Sequence, residues 1–322
     1  MSFSSEVKEE LSRQISPARH CQIAEIAAII SMCGRVSITA GDQYALKIHT
    51  ENLYVARKYF TLLKKTFNIS TEIAVRQNVG PRKNRLYSVF IKNHEDAVRV
   101  LKAAKLMGPG LDIRENLSVT DNLVIQSSCC KRAFLRGAFL VSGSISDPKK
   151  SYHFEIVCAT QEKAGQLAVI MNSFDLDAKI VLRKKYFVVY LKEGAQIVDI
   201  LNVMEAHNAL MNLENVRILK EMRNTVNRKV NCETANIHKT VNAAVKQIED
   251  IRYIQRTIGF ERLSDSLKET AAVRLEQPDA TLKELGMMLT PPVGKSGVNH
   301  RLRKLSAIAD DLRESKEEKH YD

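Results

Sequence analysis

The chain has 322 residues, 44% of them hydrophobic, and a formal net charge of +12 at pH 7. That length suits two domains, and that apolar content excludes general disorder. The charge points to an anionic partner, nucleic acid or a membrane surface, and no apolar run approaches the roughly 20 residues that span a bilayer.

The opening stretch, MSFSSEVKEELSR, lacks a basic region followed by an apolar core, so no secretory signal is expected. Phe3, Val7 and Leu11 fall four apart and predict a short amphipathic helix. CQIAEIAAIISMCGRVSI, from Cys21, predicts an apolar helix with Ala24, Ala28 and Ser31 as a small face and a stop at Cys33-Gly34. Strands are expected over 35–38 and 44–50. In the following helix Leu53, Ala56, Phe60 and Leu63 share a face with lysines opposite. Two alternating runs flank the turn residues GPRKN, a helical period returns over 94–106, and MGPG at 107–110 breaks it. The polar run to Asn122 reads as the link between two halves.

The second half opens on KRAFLRGAFLVSGSI, from Lys131, with Ala133, Gly137 and Val141 on one side. A glycine inside a helix costs roughly 1 kcal/mol against alanine, which suggests a close backbone neighbour at Gly137. The helix ends at Ser142-Gly143, a C-cap signal. Setting Gly34 on Gly143 aligns the two helices, and a similar series of strands and helices follows each. Strands are expected over 152–158, 178–183 and 187–191, and helices over 161–174 and 195–207. Two ordinary buried helices of similar composition remain the plainer alternative. An αββαββα unit used twice gives an α+β architecture. Cations cluster in the turns and on the strands: Arg76, Arg82, Lys83 and Arg85 in one half, Arg183, Lys184, Lys185 and Lys192 in the other. They read equally as a nucleic-acid surface and as charge that keeps hairpins from pairing edge to edge.

IAAIISMCG and LRGAFLVSG both resemble the LAGLIDADG motif of homing endonucleases, and align with it without a gap. The resemblance implies two helices packed at a pseudo-twofold axis and sheets that form a saddle over DNA. It also implies an acidic residue at each helix end that holds a divalent metal. This sequence departs there, with Cys33 and Ser142 at the acid positions, and Asp42 and Asp147 displaced from them. A hard cation wants anionic oxygen ligands, so no catalytic residue and no metal are expected.

The six cysteines contain no CxxC pair and no zinc-type spacing. They read as reduced thiols of a cytoplasmic protein. A bond between adjacent Cys129 and Cys130 would be strained, and thiol-based redox sensing is a second reading.

From Arg217, RILKEMRNTVNRKVNCETANIHKT places Asn224, Asn227 and Asn231 along one helical side, with Arg223 and Arg228 beside them. They are candidate DNA contacts, or exposed polar groups of a helix start. A continuing or second amphipathic helix follows over 241–257, ended by Gly259. Three helices close the chain. The first spans 267–276 and is stopped by Pro278; the second starts near Thr281 on a stripe of Leu282, Leu285 and Leu289. The third spans 298–312 with Val298, Leu302, Leu305 and Ile308 inward. The region from Ala280 to Arg313 reads as a helix-turn-helix, with a generic helical hairpin as the alternative. Its third helix and the turn before it offer Lys295, Ser296, Asn299, His300, Arg301, Arg303 and Lys304 to DNA. His300 is a lone histidine and reads as a groove or surface residue. No Walker loop, HExxH or GxSxG occurs.

A degenerate LAGLIDADG pair followed by a helix-turn-helix resembles the bacterial WhiA family. FSSEVKEEL, RNTVNRKVNCETAN and LKELGMMLTPPVGKSGVNHRLRKL carry the resemblance over nearly the whole chain. The domains expected are residues 1–216, with repeats at about 1–110 and 126–216, linker helices over 217–263, and a DNA-binding domain over 264–322. The fold class expected is α+β, a tandem-repeat pseudo-dimer followed by an all-α domain. The resemblance implies a non-enzymatic, sequence-specific transcription regulator in cell division, chromosome segregation or sporulation. It implies double-stranded DNA as partner, other transcription regulators or RNA polymerase components as further partners, no membrane, no cofactor, and a cytoplasmic, nucleoid-associated location. Residual DNA cleavage, or a protein-interaction platform with DNA binding by the tail alone, are the alternatives.

Overall fold

The computed structural model describes residues 2–39, 43–77, 85–108, 113 and 122–318. It divides into two compact units, Met1–Glu221 and Met222–Asp322. Asp42, Arg82, Lys83 and most of the link between the halves lie outside the described residues.

The first unit is the expected α+β pseudo-dimer. After α1 (Phe3–Arg13), the first repeat runs α2 (Arg19–Cys33), β1 (Gly34–Thr39), β2 (Gln43–Thr50), α3 (Leu53–Phe67), β3 (Glu72–Gln77), β4 (Arg85–Ile91) and α4 (His94–Ala103). The second runs α5 (Ser128–Ser142), β5 (Gly143–Ile145), β6 (Phe154–Cys158), α6 (Gln161–Asn172), β7 (Lys179–Arg183), β8 (Tyr186–Leu191) and α7 (Gly194–Val203). Each repeat forms an antiparallel sheet of the same order, β1-β2-β4-β3 and β5-β6-β8-β7. Strand β5 completes the αββαββα order of the second repeat; at three residues it is too short to show an alternating pattern.

Helices α2 and α5 are the centre of the core, and Ala24, Ala28, Ala133 and Ala138 on them are fully buried. A Cβ at Gly137 would lie 2.7 Å from the Glu25 carbonyl oxygen and 2.9 Å from Ala28 Cβ, so the two backbones meet there. Ala28 is the repeat equivalent of Gly137, which places the pseudo-twofold axis at this contact. The expected stops hold: α2 ends at Cys33 with Gly34 as its C-cap, and α5 ends at Ser142 with Gly143 as its C-cap. Gly34 and Gly143 keep extended backbone, φ −76° and −77°, and α2 and α5 pass directly into β1 and β5. The glycines are needed for room: a Cβ would meet the preceding helical turn at 2.5 Å (Ile30 O) and 2.2 Å (Phe139 Cδ2).

The face expected for α3 also shifts. Leu53 is exposed, and Val55, Ala56, Tyr59, Leu62 and Leu63 are buried instead. Lys58 is buried with them. Its Nζ lies 3.0 Å from Glu25 Oε1 and donates to the carbonyls of Leu11 (2.9 Å) and Gln14. Arg136 completes the network, with Nε 3.6 Å from Glu25 and Nη1 2.6 Å from Glu205. Burial pushes the Glu25 carboxyl up, against the pull of Lys58 and Arg136, and pushes Lys58 down, against the pull of Glu25. Lys58, Glu25 and Arg136 thus link four helices to one another and to the turn at Glu205.

Helix α8 (His207–Thr257) starts in the first unit and continues into the second as one helix. Gly259, φ 72°, closes it by donating to the Ile254 carbonyl at 3.2 Å. The second unit then carries α9 (Asp265–Glu276), α10 (Leu282–Met288) and α11 (Lys295–Glu318). Its core joins Ile251 and Ile254 of α8 to Leu267, Ala271, Leu285, Leu289, Val298, Leu302, Leu305 and Ala309. A capping box fixes the start of α10, Thr281 Oγ1 accepting from the Glu284 amide and Glu284 accepting from the Thr281 amide. No helix among the described residues is long and apolar enough to cross a membrane.

Candidate nucleic-acid interface

Helix α11 begins at Lys295, three residues before the expected start, because Gly294 accepts from the Gly297 and Val298 amides at 2.9 and 3.1 Å. Gly286 of α10 sets the approach of the connecting segment. Its carbonyl accepts from the Val293 amide at 2.9 Å, and a Cβ there would stand 2.0 Å from the Val293 oxygen. Val298, Leu302 and Leu305 face inward, so Ser296, His300, Arg303 and Lys304 are exposed on the opposite side. Lys295 is exposed in the first turn and Asn299 is half-buried at the edge of the face. Arg301 differs: it is half-buried, with Nη1 3.4 Å from both the Ser266 carbonyl and Thr270 Oγ1 of α9. Arg313, at the end of the region, pairs with buried Asp250 at 2.7 Å and stacks over Tyr253. Among the described residues no ion pair involves Lys295, His300, Arg303 or Lys304.

Arg223, Asn224, Asn227, Arg228 and Asn231 are all exposed on α8. No hydrogen bond among the described residues joins them to the α11 set.

The sheets of the first unit carry a surface that the sequence marked only in part. Leu46 and Ile48 face the helices, and the alternate positions Lys47 and His49 face away. Register brings Arg35 opposite Lys47, while Arg76 lies on the same outer face across β4. Burial and the neighbouring Lys47, Arg35 and Arg76 push the His49 imidazole down, a sign of concentrated positive charge. The second sheet differs, because Glu155 holds Arg183 at 2.8 Å and His153 at 3.0 Å. The alternation of YALKIHT was the available signal for Lys47 and His49.

At the helix ends that resemble the metal-binding motif, the donor set does not fit a hard cation. The Cys33 thiol donates to the Ile29 carbonyl at 3.3 Å and is pushed up to about 12 by burial, despite the nearby Lys163 ammonium. Lys163 Nζ donates to the Ser31 carbonyl at 2.5 Å, and Ser142 supplies only a buried hydroxyl. A protonated thiol, a hydroxyl and an ammonium group offer no anionic oxygen.

Family models match along the chain: the WhiA N-terminal LAGLIDADG-like domain over residues 19–107, the WhiA LAGLIDADG-like domain over 131–223, and the WhiA C-terminal HTH domain over 226–309. The chain belongs to the WhiA family. A protein described as "Probable cell division protein WhiA" from Lachnoclostridium phytofermentans is 57% identical over 98% of this chain and 100% of its own. One of the same description from Alkaliphilus oremlandii is 50% identical over 98% of this chain and 99% of its own. The crystal structure of full-length WhiA from Thermatoga maritima matches with a TM-score of 0.58 at 24% identity, over 97% of this chain and 99% of that one. The last match speaks for the fold alone. Within this WhiA-family chain, the helix-turn-helix match spans α10, most of α11 and the exposed part of α8.

Proposed function

We propose that this protein is a sequence-specific DNA-binding transcription regulator that acts in cell division, with chromosome segregation and sporulation as related roles, and that it does not cut DNA. It works in the cytoplasm at the nucleoid. The observation that carries the reading is the unpaired polar and cationic face of α11, Ser296, His300, Arg303 and Lys304, held outward by Val298, Leu302 and Leu305. The family's helix-turn-helix model over the same residues supports it, and so does the name borne by the relatives. In this reading the DNA-binding domain occupies residues 264–322, packed against the end of the linker helices over 217–263. Arg303 and Asn299 contact base edges, because arginine and asparagine pair with guanine and adenine. Lys295 and Lys304 contact phosphates. Arg223, Asn224, Asn227, Arg228 and Asn231 add contacts along α8. Arg301 positions α11 against α9. Other regulators or RNA polymerase components are further partners of a bound protein.

The test is an equilibrium titration of variants on a preferred and a scrambled duplex at several salt concentrations. Arg303→Ala is expected to cost about 1–3 kcal/mol on the preferred duplex and to relax the preference. Lys304→Ala is expected to weaken both duplexes alike and to lower the salt slope by about one. Wild-type affinity in both variants would place the reading head elsewhere.

A further inference from the structure

Opposite the degenerate motif ends, the N-terminal ends of α2 and α5 bring together His20, Cys21, Cys129 and Cys130. One ligand atom from each lies within 4.8 Å of all the others. His20 Nδ1 stands 3.1 Å from Cys130 Sγ and 3.4 Å from Cys21 Sγ. Zinc bound tetrahedrally by sulfur at about 2.3 Å and nitrogen at about 2.0–2.1 Å sets its ligand atoms roughly 3.5–3.8 Å apart. The four atoms are thus already gathered near a single centre. They are too close to surround a multi-iron cluster.

We infer that His20, Cys21, Cys129 and Cys130 form a structural zinc site that clamps the paired ends of α2 and α5. This departs from the reading of six simple thiols, and the reason is topological. Neither pair of ligands has zinc-type spacing in sequence; the repeat creates the site by laying His20-Cys21 beside Cys129-Cys130. The two pairs occupy equivalent positions in the repeats, and their burial follows suit. Cys21 and Cys130 are buried, while His20 and Cys129 are exposed and leave an entry path from solvent. Three soft thiolates and an imidazole select zinc over magnesium or calcium. On binding, the three thiols release three protons to solvent and the imidazole donates its free Nδ1 pair, giving a centre of net charge −1. The positive ends of two helix dipoles converge on that charge and stabilise it. Zinc here would restrain the two repeats at the far end of the helices from Cys33 and Ser142.

The experiment uses the full chain, expressed with zinc and purified without chelator. Elemental analysis is expected to find one zinc per chain. Exchange for Co²⁺ is expected to give the ligand-field and thiolate-to-cobalt charge-transfer bands of a tetrahedral thiolate site. Cys21→Ser and Cys130→Ser should each lose the ion, whereas Cys232→Ser, at an exposed thiol on α8, should keep it. Because a ligand variant can fail by misfolding, His20→Cys is added: it should keep the ion and strengthen the charge-transfer band. The inference is overturned by wild-type protein that takes up neither zinc nor cobalt stoichiometrically. It is equally overturned by metal retained in both serine variants, by a His20→Cys spectrum identical to wild type, or by a disulfide among these cysteines in protein purified under reducing conditions.

Discussion

Gly137 sets how closely the two repeats approach, because any side chain there meets the Glu25 carbonyl and the Ala28 methyl. Gly137→Leu is expected to lower stability by roughly 1–3 kcal/mol or more through overpacking, read as a fall in melting temperature. An unchanged melting temperature would mean that α2 and α5 do not meet at this position. The residue was legible in the sequence, since a glycine inside an apolar helix is costly unless a backbone packs on it. Lys58 was not legible. Its neighbours in KKTF and ARKYF give it the look of a solvated lysine, and only the fold shows that α1 ends over it, with carbonyls of Leu11 in α1 and Gln14 just after it as acceptors. The cysteine and histidine cluster was hidden for the same reason, because its ligands are close only after the repeats pair.

At the scale of elements, the ion network shows what holds α1, α2, α3 and α5 in place. Removing one member of a buried ion pair leaves a charge without compensation, at a cost of about 3–5 kcal/mol. Lys58→Met is therefore expected to be strongly destabilising in denaturant unfolding. Adding Glu25→Leu to it should recover part of the loss, because an apolar pair buries no ion. A double variant less stable than Lys58→Met alone would contradict this account of the network. Most elements followed from periodicity: the Phe3-Val7-Leu11 stripe, the helices flanking each hairpin, and the Leu285-Leu289 and Val298-Leu302-Leu305 stripes of the tail. What was not legible has physical causes. Gly34 and Gly143 are the C-caps expected, and beyond ending the helices they supply room for a direct passage into the strands, which the sequence did not show. The start of α11 lay in GKSG, whose two glycines disguise a first helical turn. The outward face of the first sheet needed strand register, which fixes Arg35, Lys47 and Arg76 on one side and cannot be read from composition.

For the whole molecule, a LAGLIDADG-like pseudo-dimer with Cys33 and Ser142 at the acid positions is followed by a helix-turn-helix tail whose α11 is proposed to read DNA. With supercoiled plasmid and Mg²⁺ or Mn²⁺, no protein-dependent nicking is expected. Nicking that disappears in a Cys33→Ala, Ser142→Ala double variant would refute the loss of cleavage. In the first sheet Arg35, Lys47 and Arg76 form no ion pair among the described residues, whereas Glu155 holds Arg183 in the second; in the proposed reading the pseudo-dimer adds contacts to phosphates and α11 carries the sequence preference. The most direct measurement is selection of bound duplexes from a random-sequence library by the full chain and by its Arg303→Ala variant. The account predicts that the wild type enriches a defined motif and that the variant loses discrimination at one position of it. Enrichment of the same motif with undiminished discrimination by the variant would contradict it.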